Sequence, residues 1–412
     1  MQSLFLGLGK VNRSLAEHIS GEKIAVVEEK DSSEQPVVRV FKSSGSEPFV
    51  ETQSIPGDFD SLKWETFLPA EVFVSPGIDP RRVFFKQVST FEVRELDFFC
   101  RHFSGMKIGI TGTDGKSTFT TWLGEVLKRS LPHKKIFVGG NLSPPMTDAL
   151  EQGFDGAVLE ISSFQAERLK SARLDAGIIL NLASDHLDRY DSIEKYFDAK
   201  WNLLRRSNLA FFPSDIEVPA DLTIKSPCNF ENSESIVTVL KKILPVLLKS
   251  MGGSDSPLPP QIFEDLPQLP HRLNIFKDSI GAVFVNDSKA TTVHAATYGL
   301  LEIQKQVAKV KLILGGRHKG DDFSELAGVL RPQDEVLIYG EAGFLIEEHL
   351  VGISQKTRRY RTLKELLEVE LSKVVAGEAL QLSPGCSSYD EFSNFEERGD
   401  YFIQQVRRIR LF

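Results

Sequence analysis

The run KIGITGTDGKST, Lys107 to Thr118, sets a lysine and two hydroxyls directly behind a turn that contains Gly112 and Gly115. That arrangement suits a phosphate chain. Ile108 and Ile110 read as a short apolar strand, and Lys116, Ser117 and Thr118 open a helix that continues through Thr120 and Trp122. Glycines let backbone N–H groups close around phosphate oxygens at a helix N-terminus, the lysine adds positive charge, and the serine hydroxyl can ligate Mg²⁺. Gly112, Thr113, Asp114, Gly115, Lys116, Ser117 and Thr118 are therefore expected to hold ATP or GTP. The loop is the shorter G-T-D-G-K-S form, because Ile110 stands where the longer one has its first glycine.

Such a loop needs a sheet to carry it, and the chain repeats one pattern, an apolar strand followed at once by polar residues. Gly156 to Leu159 ends in Glu160-Ile161-Ser162-Ser163; Gly177 to Leu182 ends in Ser184-Asp185-His186, with Asp188 and Arg189 just after. In an open parallel sheet, ligands sit beyond the carboxyl ends of the strands, so these groups are expected to converge on the edge that holds the phosphate loop. Glu160 is placed to hold Mg²⁺ directly or through water. His186 is open between a metal ligand, a phosphate contact and a cap of the following helix. Lys200, inside a helix with Tyr196, Phe197, Ala199, Trp201, Leu203 and Leu204, reads on its own as a surface lysine.

The pattern returns in the last third of the chain. Strands are expected at Ala282 to Val285, Lys311 to Leu314, Glu335 to Ile338 and Leu380 to Leu382. Arg272, Lys289 and Lys319 lie near these strand ends or introduce the region, a row of cations suited to anionic substrates or a transferring phosphoryl group. At the N-terminal end, residues 3 to 18 read as strand, Gly7-Leu8-Gly9 and an amphipathic helix, followed by a strand from Lys23 to Val27. This resembles a dinucleotide-binding opening, but Asn12 occupies the place of its third glycine. Glu71 to Val74 is a further strand, running into Ser75-Pro76-Gly77, which is either an anion-meeting turn or a plain Pro-Gly turn. A helix from Val93 to Phe103 joins this region to the phosphate loop, and Ser235 to Leu248 forms an apolar-faced helix before a Gly-Ser-Pro surface loop.

The totals set limits. A chain of 412 residues suggests two to four domains, and a net charge of −8 argues against a general nucleic-acid binder. No apolar run approaches a membrane span, and the start is strand-like rather than a charged leader with an apolar core, so no membrane insertion and a cytoplasmic location are expected. Cys100, Cys228 and Cys386 are too few and too scattered for a disulfide framework or a metal knuckle.

Taken together, nine strings in colinear order resemble the Mur ligase family over nearly the whole chain. They are GTDGKST at 112 to 118, GGN at 139 to 141, EISSFQ at 160 to 165, SDHLDRY at 184 to 190, YFDAK at 196 to 200, LPHR at 269 to 272, NDSKAT at 286 to 291, GGRHKGDDF at 315 to 323 and SPGCSSYDEFSNFEERG at 383 to 399. The last resembles the members that add D-glutamate. The resemblance implies an α/β fold of three domains: a Rossmann-like N-terminal domain at 1–97 for the UDP substrate, a central P-loop-type ATPase domain with a mainly parallel sheet at 98–268, and a Rossmann-like C-terminal domain at 269–412. It implies a cytoplasmic ligase of peptidoglycan precursor synthesis, acting as a monomer. In that reaction ATP phosphorylates the terminal carboxylate of UDP-N-acetylmuramoyl-L-alanine, and the amine of D-glutamate attacks the acyl phosphate.

The roles that the resemblance implies follow its matching strings. Lys116, His186 and Lys200 would be the catalytic set, with Lys116 on the β- and γ-phosphates. Ser117 and Glu160 would hold one Mg²⁺, and His186 with Lys200 a second, Lys200 being carbamylated and so made into a carboxylate-like ligand. Asn141, Ser162 and His186 would meet the muramoyl-alanine portion, and Ser75 with the Gly7 to Val11 turn the UDP. Asn229 and Asn232 would lie beside the adenine, Arg272 and Asp287 would grip the nucleotide, and Lys289, Thr291, Lys319, Ser388 and Phe395 would form the D-glutamate pocket. Three departures stand out: Cys228 replaces the family's histidine before Asn229, the central region is shorter after Lys200, and GLGKVN differs from G-L-G-x-[ST]-G.

Overall fold

A computed structural model of the chain describes residues 2–30, 33–45, 47–62, 64, 71–76, 78–150, 152–186, 189–253, 257–318, 320, 322–352 and 356–410. The chain forms two compact units, the first from Met1–Ala183 with Glu194–Leu266 and the second from Ser184–Ile193 with Pro267–Phe412. Among the described residues no helix is long and apolar enough to cross a membrane.

The first unit contains two sheets. One has the order β4-β3-β2-β1-β5, with β1 at Gln2–Leu6, β2 at Glu22–Lys30, β3 at Pro36–Ser44, β4 at Val50–Pro56 and β5 at Glu71–Val74. β1 is parallel to both β2 and β5, whereas β3 and β4 run on as an antiparallel meander. Alternate residues of β1 serve opposite faces: Leu4 and Leu6 pack with Trp64, Val72 and Phe84, while Phe5 packs with Leu15, Phe73 and Phe98. The strands β3 and β4 were not foreseen in the sequence. β4 exposes nearly every residue, so it carries no alternation that would mark it.

The second sheet is parallel throughout, with order β10-β9-β6-β8-β7: β6 at Met106–Thr111, β7 at Ile136–Gly140, β8 at Gly156–Glu160, β9 at Leu174–Ile179 and β10 at Ser207–Phe211. The chain goes from β6 to one side for β7 and β8, then to the other for β9 and β10. A switch of this kind opens a crevice beyond the carboxyl end of β6. One face is sealed by the helices Lys116–Ser130 and Ile236–Ser250, whose Phe119, Leu123, Leu240 and Leu244 pack on Ile108, Ile110 and Ile178. Ser235 caps the second of these helices by accepting from the Thr238 amide. The joining helix is Glu95–His102, acidic in its first turn and basic in its last, as the helix dipole favours.

The second unit holds a six-stranded sheet of order β11-β12-β16-β13-β14-β15, with β11 at Asn274–Lys277, β12 at Val283–Asn286, β13 at Lys309–Gly315, β14 at Glu335–Tyr339, β15 at Lys356–Arg359 and β16 at Glu378–Leu382. Only its edge strand β11 is antiparallel. Buried apolar clusters cover both faces, which is why the inner strands read as nearly unbroken apolar runs.

Candidate active site

The phosphate loop leaves β6 and enters the helix Lys116–Ser130 through Gly112 at φ 156° and Gly115 at φ 76°, conformations that favour glycine. Phe119 makes the first intrahelical bond, to the Gly115 carbonyl. The amides of Lys116, Ser117 and Thr118 thus point out of the helix end, where the dipole favours an anion. The Lys116 ammonium donates to the carbonyls of Gly112 and Thr113 at 2.9 and 2.7 Å. Lys200 also donates to the Gly112 carbonyl, at 2.7 Å, and stands 4.3 Å from the Tyr196 ring centroid. At 1 % exposure Lys200 is no surface lysine, which corrects the reading from its helix alone. Residue 200 falls on the same helical face as Tyr196, Leu203 and Leu204, all buried.

The neighbouring strand ends add an acid. Register sets Glu160 beside Ile110, and Asn141 donates to its Oε1 at 2.7 Å. Ser162 starts a short helix with a reciprocal cap: it accepts from the Gln165 amide, and the Gln165 side chain accepts from the Ser162 amide. Further along that helix Arg168 forms an ion pair with Glu92 and donates to the Ser75 carbonyl at 3.0 Å. Gly7 adopts φ 80°, and a Cβ there would come within 3.2 Å of Ser75 Cβ, so the first glycine turn and Ser75 adjoin. Asn12 replaces a glycine because its amide works: Nδ2 donates to the carbonyls of Leu6, Gly7 and Phe73 at 3.0, 2.7 and 3.3 Å.

The second unit gathers its own polar groups at the carboxyl ends of β12, β13 and β16. Asp287 accepts from the Leu273 amide at 3.1 Å and the Ser383 hydroxyl at 2.7 Å, anchoring the turn that carries Arg272. The Lys289 ammonium stands 3.9 Å from the Phe395 ring centroid, and the Thr291 amide donates to the Lys289 carbonyl. Ser388 is buried in the turn after β16. His271 and Gly399 interlock: Asn286 Nδ2 lies 3.0 Å from both His271 Nδ1 and the Gly399 carbonyl, and a Cβ on Gly399 would meet His271 Nδ1 at 2.2 Å. His186 adopts φ 56°, and its carbonyl accepts from the Arg189 and Tyr190 amides ahead of the helix Ile193–Arg205.

Residues 110–233 match the Mur ligase middle domain. A Leptospira interrogans protein named UDP-N-acetylmuramoylalanine--D-glutamate ligase is 30 % identical, with 98 % of this chain and 96 % of the relative aligned. The chain belongs to the Mur ligase family. A Francisella tularensis relative of the same name is 32 % identical over 82 % of this chain and 85 % of its own length. Among solved structures, the UDP-N-acetylmuramate-alanine ligase of Thermotoga maritima shares the fold at TM-score 0.60 and 16 % identity, covering 99 % of both chains.

In this Mur ligase the first unit carries Ser75, Asn141, Glu160, Ser162, Lys200, Asn229, Asn232 and the whole phosphate loop; the second carries His186, Arg272, Asp287, Lys289, Thr291, Ser388 and Phe395. Asp188 and Lys319 lie outside the described residues. Lys116 and Lys200 meet at Gly112, Asn141 meets Glu160, and Lys289 meets Phe395. Asn232 accepts from the Leu182 amide at 3.0 Å, and Asn229 is exposed. Sequence reading assigned nothing to Asn181, Arg168 or Arg398, which act on backbone carbonyls and amides far away in the chain.

Among the described residues no three His, Cys, Asp or Glu side chains cluster as a metal-ligating group. A cation at the cradle would take oxygen donors, the Ser117 hydroxyl, the Glu160 carboxylate, phosphate and water, and that set fits Mg²⁺.

Burial pushes the Asp287 carboxyl up to about 7, although the Ser383 and Leu273 bonds and the Arg272 charge pull it down. The folded state therefore holds this proton more tightly than the unfolded chain, where the carboxyl titrates near ~3.9. The associated stability is complete below that value and is lost as the pH rises through about 7. Glu391, pushed up to about 7 mainly by burial, acts in the same sense. Asp287→Asn is expected to flatten part of the decline in urea midpoint across that window. A wild-type slope in the variant would show that this proton does not contribute.

Proposed function

We propose that this ligase uses ATP to join the amine of D-glutamate to the terminal carboxylate of UDP-N-acetylmuramoyl-L-alanine, the two substrates that its relatives are named for. The observation that carries the reading is the cradle itself: a helix N-terminus with Lys116 and buried Lys200 on the Gly112 carbonyl, beside Glu160. A free carboxylate is a poor electrophile. Transfer of the γ-phosphoryl group to a carboxylate oxygen releases ADP and makes an acyl phosphate; the amine nitrogen then attacks the acyl carbon, phosphate leaves, and the nitrogen loses a proton. The protein's part is to bring three anions together and hold them in line.

In this reading residues 1–97 bind the UDP end through Ser75 and the Gly7 turn, 98–268 bind ATP, and 269–412 bind D-glutamate through Lys289, Thr291, Lys319, Ser388 and Phe395. Ser117 and Glu160 hold Mg²⁺, which when bound would neutralise phosphate charge. A carbamylated Lys200 would serve a second ion. Two ammonium groups on one carbonyl oxygen repel each other, so turning Lys200 into an anion replaces that repulsion by attraction. Lys289 over the Phe395 ring sets a cation in a fixed direction for a substrate carboxylate.

The test is phosphate release with Mg²⁺-ATP and UDP-N-acetylmuramoyl-L-alanine, comparing D-glutamate, L-glutamate, L-lysine, meso-diaminopimelate and no amino acid. Release with D-glutamate alone, together with the dipeptide product, is expected. Release with another amino acid would keep the ligase chemistry and overturn the substrate, and no release with any would overturn both.

A further inference from the structure

Behind the phosphate loop, three side chains clamp backbone that is not their own. Asn181, just past β9, accepts at Oδ1 from the amides of Thr113 and Asp114 at 3.0 and 2.9 Å, and its Nδ2 donates to the Asp114 carbonyl at 3.0 Å. Thr113 returns the grip: its hydroxyl donates to the Ala183 carbonyl and accepts from the Ala183 amide, each at 3.0 Å. Asn232 closes the series on the residue between them, accepting from the Leu182 amide at 3.0 Å, while its own amide donates to Asp215 at 2.7 Å. The phosphate loop is thus tied through residues 181–183 to the segment around residue 232.

We infer that Asn181 is a positioning residue for the nucleotide, its carboxamide presetting the phosphate loop before any nucleotide arrives. The inference rests on the reading that this cradle binds ATP. A loop that passes through Gly112 at φ 156° and Gly115 at φ 76° has many other conformations open to it. Ordering it on binding would subtract from affinity; an internal brace bears that cost at folding instead. The brace occupies the amides of Thr113 and Asp114 and leaves those of Lys116, Ser117 and Thr118 directed out of the helix end. No phosphate is needed to satisfy the first two.

Hydrogen exchange in the wild-type protein without nucleotide is the first test, since it does not depend on the cradle's ligand. The Asp114 amide is expected to be protected; exchange at the rate of an open loop would overturn the inference. In Asn181→Ala that protection should vanish and the KM for ATP should rise about tenfold, with the KM values of the other two substrates within about twofold. Asn181→Asp keeps the oxygen that accepts both amides but sets a second oxygen against the Asp114 carbonyl, so it should retain part of the Asp114 protection. An unchanged KM for ATP in Asn181→Ala, or equal rises for all three substrates, would reduce Asn181 to a structural role and overturn the proposal. If wild-type protein shows the protection yet binds no ATP, the ATP reading fails while the brace stands as a structural fact, and the positioning role falls with that reading.

Discussion

Lys200→Ala is expected to lower turnover by roughly a thousandfold or more while ATP still binds. The reason lies in what Lys200 touches. Its ammonium is buried against the Gly112 carbonyl and faces the Tyr196 ring, so it takes no part in the amides of the helix end that would grip a phosphate chain. Lys116 makes its own bonds to the loop and remains available when Lys200 is gone. Truncation should therefore spare the ATP dissociation constant to within severalfold and remove the metal ligand proposed to serve the transferring phosphoryl. Calorimetric ATP titration beside a phosphate-release assay separates the two effects. The proposed carbamate can be followed directly, as a ¹³C signal from labelled bicarbonate that wild-type protein is expected to show and Lys200→Ala to lack. Near-normal turnover in the variant would sink the proposed ligand role, and equal losses in binding and turnover would make Lys200 a prop of the loop.

How much of this was legible in the sequence depends on the range of the interactions. The phosphate loop was readable because strand, glycines, lysine and hydroxyl are adjacent, and the structure forms the strand and helix where the spacing required. Glu160 was readable for a similar reason, since a residue directly after a buried strand must emerge at the sheet's carboxyl edge. β4 was not, because a strand that is polar on both faces leaves no period-2 signal. The burial of Lys200 left a faint one, a charge at helical spacing from Tyr196 and Leu204, but a lone helical lysine is ordinarily solvated. Asn181 left none, and His271 and Gly399 left only their places in the LPHR and SPGCSSYDEFSNFEERG strings, for their partners are set by tertiary contact: Gly399 is a glycine because His271 fills the place of its side chain.

Arg398→Met is expected to destabilise the second unit by about 2–4 kcal/mol and to raise the KM for D-glutamate far more than that for ATP. Arg398 is fully buried and holds three parts of the chain at once. Nε donates to the Ser288 hydroxyl at 2.9 Å, Nη2 to the carbonyls of Ser288 and Cys386 at 2.8 and 3.1 Å, and Nη1 to the Tyr339 hydroxyl at 3.4 Å. Ser288 precedes Lys289, and Cys386 stands two residues before Ser388, so one guanidinium sets the spacing of two strings proposed to form the amino-acid pocket. The surroundings fit it closely: Gly316 adopts φ 124°, and a Cβ there would meet the Ser387 carbonyl at 2.2 Å and Arg398 Nη1 at 3.1 Å. Methionine fills much of the volume and recovers the cost of burying a charge, but it leaves buried carbonyls without donors, and that loss wins. Arg398→Lys keeps the charge and loses the planar fork, so it should recover part of the thermal midpoint and little of the D-glutamate KM. Calorimetry with steady-state kinetics on both variants decides the matter. A methionine variant with wild-type midpoint and wild-type KM for D-glutamate would mean that the two strings hold their spacing without this residue.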